Sequence, residues 1–396
     1  MPTVVGRPGL GGNPLDEGAI DLSSVAMAPA ALEGIVVVDF SRVLAGPLVG
    51  MTLGDLGADV VKVEAPGGDD TRRWLPPTDA QGRASYHHAA NRNKRSIALD
   101  LTVEPDLELA RQLCERADVV VSNFKPGTLE RFGLDYERVA AVNPLVVYCE
   151  ISGFGERGGR KLPGYDPLVQ AVGGLMSITG PPGAPSKAGV AIVDVVTALY
   201  ATVAVLAALY ARSDLGTGQR ITIDLLHANL AMLANQSAGW LASGRVPQSL
   251  GNVHPSIEPF ATYRAGDGDL MIGAGNDAQF ARLAAAIGVP ALADDPRFET
   301  NEQRVANRDE LRAALEAQLE KRTRADWRDV LLGAGVPAGP VQTIDEAFSL
   351  AEALGLDAVD ETDGVRTVSF PAHLSETPAT VRRRPPDLDE HEADFR

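Results

Sequence analysis

The sequence is poor in several residue types, and each shortage excludes something. Only two of its 396 residues are cysteine, Cys114 and Cys149, too few for a disulfide framework, so a reducing cytoplasm is the expected setting. The six histidines, His87, His88, His227, His254, His373 and His391, never stand with cysteine or carboxylate at metal-ligand spacing, and no catalytic metal is expected. Positive charge is scarce: 36 Lys+Arg against 53 Asp+Glu leave a formal charge of −17. Such a field repels nucleic acid and anionic membranes, so neither is expected as a partner. An anionic small ligand is still admissible where basic residues gather locally. No basic segment leads into an apolar one near the start, and residues 1–31 read as a flexible N-terminal arm. The most apolar run, Val195–Ala211, falls short of the ~20 residues of a membrane span and reads as a helix buried between protein layers.

Hydrophobic residues, at 45%, are sufficient for a large core. They fall in β-branched runs at residues 34–39, 59–64, 96–101, 118–123 and 145–150, separated by helical segments such as 45–58 and 104–116. Continuous apolar strands alternating with helices predict an α/β, doubly wound, Rossmann-like large domain over residues 32–225. The pattern then changes. A hairpin over Thr262–Ile272 and helices over 278–287 and 308–321 predict a smaller α+β domain at 226–335. Residues 336–396 would return to the large domain and end in an exposed, charged, proline-containing tail.

Common phosphate and hydrolase signatures are missing. The turn after the first strand, Ser41-Arg42-Val43-Leu44-Ala45-Gly46-Pro47, has one glycine where a dinucleotide-binding enzyme needs three. There is no G-x-x-x-x-G-K-[ST] loop and no G-x-S-x-G elbow. One local feature runs against the overall charge. Ala80–Leu99 contains Arg83, Arg92, Lys94 and Arg95, two histidines and no acid, which reads either as a solvated loop or as an electropositive rim for a phosphate-bearing ligand.

Several separated segments carry a resemblance. Leu32–Ser41, Ala45-Gly46-Pro47 and Leu53–Glu64 resemble the opening of the family III coenzyme A transferases. That family includes formyl-CoA transferase and the carnitine CoA-transferases, with α-methylacyl-CoA racemase as a relative. Asn93–Ser96, Asn123–Gly127, Gly164–Pro167, Gly216–Gln219 and Gly335–Val341 match in the family's order, so the resemblance spans about residues 32–370. It implies an interlocked homodimer, with acyl-CoA and a carboxylic acid as substrates and no permanently bound cofactor. Carried onto this sequence, the CoA-binding positions would be Val43, Leu44, Ala45, Ala90, Asn91, Arg92, Asn93, Asn123, Phe124, Lys125 and Arg131, with Lys94 and Arg95 beside them. Asp166 would be the catalytic aspartate. Its carboxylate would attack the thioester and expel CoA thiolate, leaving a mixed anhydride; a second carboxylic acid would then exchange in, and the thiolate would return to form the new thioester.

The chain departs from formyl-CoA transferase at Arg42, Leu44 and Ala65, and Leu250–Pro259 lacks that enzyme's tetraglycine loop. The resemblance therefore carries no particular acid. On local sequence Asp166-Pro167 is also an ordinary helix start, Asp at the N-cap and Pro at N1. An acyl-CoA racemase is the alternative activity, with Asp194 as one partner, although Tyr165 stands where that chemistry uses a histidine. A non-catalytic CoA-binding protein is the third reading.

Overall fold

The computed structural model describes residues 30–396, so the expected N-terminal arm falls almost wholly outside the described residues. Six strands form one all-parallel sheet: β1 (Val36–Asp39), β2 (Asp59–Glu64), β3 (Lys94–Ala98), β4 (Val119–Ser122), β5 (Val147–Ser152) and β6 (Gln219–Asp224). Their order, β3-β2-β1-β4-β5-β6, is the order found in doubly wound dinucleotide-binding sheets. Between β1 and β4 the winding reverses direction, and ligands of such sheets bind outside the strand C-termini at that point.

Helices cover both faces. α1 (Ala45–Asp55) packs on one face; α2 (Ser85–His88) is a single turn before β3. α3 (Glu104–Arg116) and α4 (Tyr136–Val142) cover the other face, where Leu107, Ala110, Cys114 and Val139 join Val38, Val61, Ile97 and Val120 in one core. α5 (Asp166–Val172) and α6 (Leu175–Ile178) follow β5 and precede the long α7 (Ile192–Leu215). Ala198, Ala201, Val205 and Ala208 of α7 pack with α1 against Val37, Val119 and Val147. Small residues let this helix approach the sheet closely. Among the described residues α7 is the one helix long and apolar enough to cross a membrane by length and composition. One of its faces is in the core, and the other leaves Leu199, Val203 and Tyr210 exposed. Burial on both sides, as expected from the sequence, is thus met on one side within the chain.

α8 (Leu225–Met232) and α9 (Ala234–Ser243) lead out of the sheet to a second core. There β7 (Phe260–Ala265), β8 (Gly268–Gly273) and β9 (Ala338–Pro340) pair antiparallel, with α10 (Asp277–Ala286), α11 (Asn301–Ala306), α12 (Arg308–Leu319) and α13 (Arg324–Gly333) around them. The hairpin lies where the sequence placed it. Because β9 pairs with β8, the Gly335–Val341 segment belongs to this sheet rather than to the return, which moves the boundary expected at 335. α14 (Ile344–Ala353) and the β10 (Val359–Thr362) and β11 (Val365–Val368) hairpin complete the chain before its final segment.

That final segment has many exposed side chains, as its composition suggests, but it is not a free tail. The backbone N–H groups of Arg382 and Arg383 donate to Asn93 Oδ1, at 2.6 and 3.0 Å. His391 N–H donates to the Ser96 carbonyl at 3.0 Å, and Ala98 N–H donates to Asp389 Oδ1 at 2.8 Å. The segment covers the otherwise open edge of β3, satisfying backbone groups that an edge strand leaves unpaired.

Candidate active site

The cleft lies where the winding reverses. The loop after β1 (Val43, Leu44, Ala45), the loop after β4 (Asn123, Phe124, Lys125) and the segment after β5 through Tyr165 form its walls, together with Asp194. The β1 loop is held by side chains from three directions. Asn123 pairs with Arg42 twice, accepting from its N–H at 2.9 Å and donating to its carbonyl at 2.6 Å. Lys62, fully buried, donates to the Ser41 carbonyl at 3.0 Å and to Asp69 Oδ2 at 3.1 Å, and Asp69 accepts from Val43 N–H. These contacts hold Val43 at φ 68°, a left-handed conformation costly for a β-branched residue. At Gly46 a Cβ would lie 2.2 Å from that of Ser41, so the Ala-Gly-Pro motif reflects a close approach of α1 to the loop.

Asp166 is the first residue of α5 and is 4% exposed. Tyr165 is the N-cap, and the Asp166 side chain does not cap its own helix, which corrects the sequence reading. Its carboxylate crosses instead to α7. Oδ2 accepts from the backbone N–H of Val193 at 2.8 Å and of Asp194 at 3.4 Å. Oδ1 accepts from Gln170 Nε2 at 2.6 Å, one turn along α5. Gln170 is fully buried and is itself fixed by Ala188 N–H, which donates to its Oε1 at 2.8 Å. The carboxylate therefore sits at the N-terminal turns of both α5 and α7, held on both oxygens. Sequence reasoning missed Gln170; its spacing of four from Asp166 was the available signal.

Asp194, on the first turn of α7, lines the cleft, whereas the nearly buried Asp166 lies just behind Tyr165, outside the lining residues. Burial and then the Asp166 charge push its carboxyl up to about 7. Tyr86, on α2, is raised by burial and by the nearby charges of Asp194 and Asp166. The two thiols play no part. Burial pushes both Cys114 and Cys149 up to about 12, far from the range of a reactive thiolate.

The expected CoA-binding residues separate into two groups. Val43, Leu44, Ala45, Asn123, Phe124 and Lys125 line the cleft, and Lys125 is exposed. Arg131 is exposed on the 3-10 turn after that loop and donates to the Gly127 carbonyl at 3.3 Å. Ala90, Asn91, Arg92, Asn93 and Lys94 are buried, and the structure does not bring them to the cleft walls. Lys94 Nζ donates to Asp39 Oδ2 at 2.8 Å and to the Pro47 carbonyl at 2.7 Å; burial lowers it to about 8 against the pull of Asp39. Arg92 forms a two-pronged pair with Asp55, at 2.9 and 2.6 Å, which Asn93 joins. Arg95 pairs with Asp59 at 2.6 Å and Asp394 at 3.3 Å, its guanidinium stacked on Phe395. The acid-free stretch is thus neither a solvated loop nor an open basic rim, because distant carboxylates neutralise Arg92, Lys94 and Arg95.

These placements separate two effects. Lys125→Ala should raise the KM for acyl-CoA several-fold, with the wild-type advantage shrinking as salt rises, and leave kcat unchanged. Arg95→Ala should leave that KM unchanged and lower the melting temperature, since it frees the final segment from β3. Steady-state kinetics with a thermal melt on both variants checks the pair.

The family model for "CoA-transferase family III" matches residues 32–392. The chain is 45% identical over 378 residues to a succinate–glutarate CoA-transferase from Agrobacterium fabrum, covering 91% of this chain and 94% of that protein. It is 39% identical over 396 residues to a succinyl-CoA:glutarate CoA-transferase from Mus musculus, covering 97% and 90%. The crystal structure of a CAIB/BAIF family protein from Brucella suis superposes with a TM-score of 0.85 at 44% identity, covering 92% of this chain and 98% of that one. With the aspartate, the switch-point cleft and the matched segments in the family's order, the chain belongs to CoA-transferase family III.

Proposed function

We propose that this protein is an acyl-CoA:carboxylate CoA-transferase that works through an aspartyl mixed anhydride on Asp166, with short dicarboxylic acids as its substrate class. The observation that carries the mechanism is the Asp166 carboxylate itself, nearly buried and fixed on both oxygens beside a cleft at the sheet's switch point. Asp166 attacks the acyl carbonyl, the C–S bond breaks and CoA leaves as thiolate. The acceptor carboxylate then attacks the aspartyl carbonyl and displaces the first acid. Thiolate finally attacks the new acyl carbonyl, restoring Asp166. One thioester is exchanged for another, so no other energy source is required. Dicarboxylates are supported by the relatives named above. Against proton exchange beside the thioester, the residue before Asp166 is Tyr165, half exposed, where that chemistry uses a histidine.

A panel of acyl-CoA donors against carboxylic acids, with products read by mass spectrometry, tests this reading. Succinyl-CoA with glutarate is the expected productive pair. Transfer confined to monocarboxylic acids would remove the dicarboxylate assignment, and no transfer from any donor would remove the activity.

The same reading includes an interlocked homodimer and a cytoplasmic setting. The dimer is supported by apolar surface the chain leaves uncovered, including Tyr210, Leu241 and Ile344, each at least three-quarters exposed. Threaded subunits cannot part without unfolding. Analytical ultracentrifugation over a broad dilution series should show one dimeric species; a folded monomer appearing reversibly on dilution would contradict the threading.

A further inference from the structure

Asp194 is the one acid of the cleft wall that the mechanism above leaves without a task. It is 9% exposed and lines the cleft beside Gly164 and Tyr165. Its own N–H and that of Val193 turn toward Asp166 Oδ2, so the two aspartates share the N-terminus of α7. The roles at that terminus differ. Asp166 takes up the helix N–H groups, whereas the Asp194 carboxyl forms no hydrogen bond or ion pair with any described residue. The titratable groups that face it are Asp166 from α5 and Tyr86 from α2, with Tyr165 on the adjoining loop and the cations Arg42, Lys125 and Arg160 elsewhere on the cleft wall. A nearly buried carboxyl with a carboxylate neighbour and no donor is costly to ionise. Kept neutral, it presents an O–H to the cleft.

Resting on the transfer mechanism, we propose that Asp194 is a second catalytic residue, which donates a hydrogen bond through its carboxyl O–H to the acyl carbonyl oxygen as Asp166 attacks. In that step the bond from Asp166 to the acyl carbon forms and the carbonyl electron pair moves onto oxygen. The Asp194 proton is shared with that oxygen and returns when the C–S bond breaks and thiolate leaves. No net proton is transferred, as the overall exchange requires. The role repeats on the acceptor's acyl group in the last step. Ionised Asp194 would lose the donor and set a negative charge against the developing oxyanion.

The test compares kcat from pH 6 to 9 for wild type, Asp194→Asn and Asp194→Ala, using succinyl-CoA with glutarate or the most active pair of the panel. Wild-type kcat should fall above about pH 7, where Asp194 ionises. Asp194→Asn keeps a donor at every pH, so it should retain kcat within about tenfold near pH 6.5 and lose the alkaline decline. Asp194→Ala should lose about 100- to 1000-fold, as expected for removing an oxyanion donor, with the KM for acyl-CoA little changed. A flat wild-type profile from pH 7 to 9, a decline that persists in Asp194→Asn, or an Asn variant as inactive as Ala would each overturn the proposal. If Asp194→Ala does not fold, the Asn profile alone decides. Failure of the transfer reading itself is distinct, since wild type would then move no CoA at all.

Discussion

Asp166→Asn is expected to bind acyl-CoA with unchanged affinity and to lose CoA transfer by about 10⁴-fold or more, because a neutral amide cannot form the anhydride. Folding should survive at a measurable cost. The Asn carbonyl can still accept from Val193 and Asp194 N–H, but its amide then meets the Gln170 amide, donor against donor. Rotating Gln170 would break its bond from Ala188. One compromised buried hydrogen bond costs about 1–3 kcal/mol, visible as a lower melting temperature. Calorimetric titration with CoA, a thermal melt and the transfer assay check the three parts. Asp166→Glu keeps the charge but displaces it by one methylene, and an error of ~1 Å in a reacting group costs about 100-fold. Full transfer by a folded Asn variant would reduce Asp166 to a cap on α7.

The second large effect is expected at Gly164, two residues before the proposed nucleophile. A Cβ there would lie 2.4 Å from the Gly153 Cα and 3.0 Å from its nitrogen. Both are backbone atoms immediately after β5, so neither can swing aside as a side chain would. Gly164→Ala must push apart the two strands of the loop that sets Tyr165 and Asp166, and kcat should fall about 100-fold through misplacement of the carboxylate. A far smaller change is expected at Gly158, where a Cβ meets nothing within 4 Å, and Gly158→Ala is the control. Equal kcat in the two variants would mean that the close approach of the two glycines does not position Asp166.

The parts legible in the sequence are those whose cause is local. β1, β2 and β4 are short β-branched runs, and they emerge within a residue or two of the expected ends. β6 went unread because Gln219-Arg220-Ile221-Thr222-Ile223-Asp224 alternates as an edge strand does, and it is only partly buried. β3 starts earlier than its apolar residues suggest, because Lys94 and Arg95 are strand residues whose charges Asp39, Asp59 and Asp394 neutralise. Those partners lie far away in the chain, so a count of nearby charges turned interior ion pairs into a basic rim. The final segment was misjudged in the same way: its charges and prolines suggest solvent, yet its backbone hydrogen bonds go to β3. At the proposed site, the matched motif points to Asp166, whereas nothing local points to the groups that hold its carboxylate. Gln170, Val193 and Asp194 become its neighbours only when α5 and α7 bring their N-terminal turns together.

Trapping the acyl-enzyme with hydroxylamine tests the central claim most directly. Wild type incubated with succinyl-CoA and hydroxylamine, then digested and read by peptide mass, should carry a hydroxamate on the peptide containing Asp166, located there by fragmentation. The mark should require the thioester and be absent from Asp166→Asn. A hydroxamate on another carboxylate, or active wild-type enzyme that is never marked, would contradict an anhydride at Asp166.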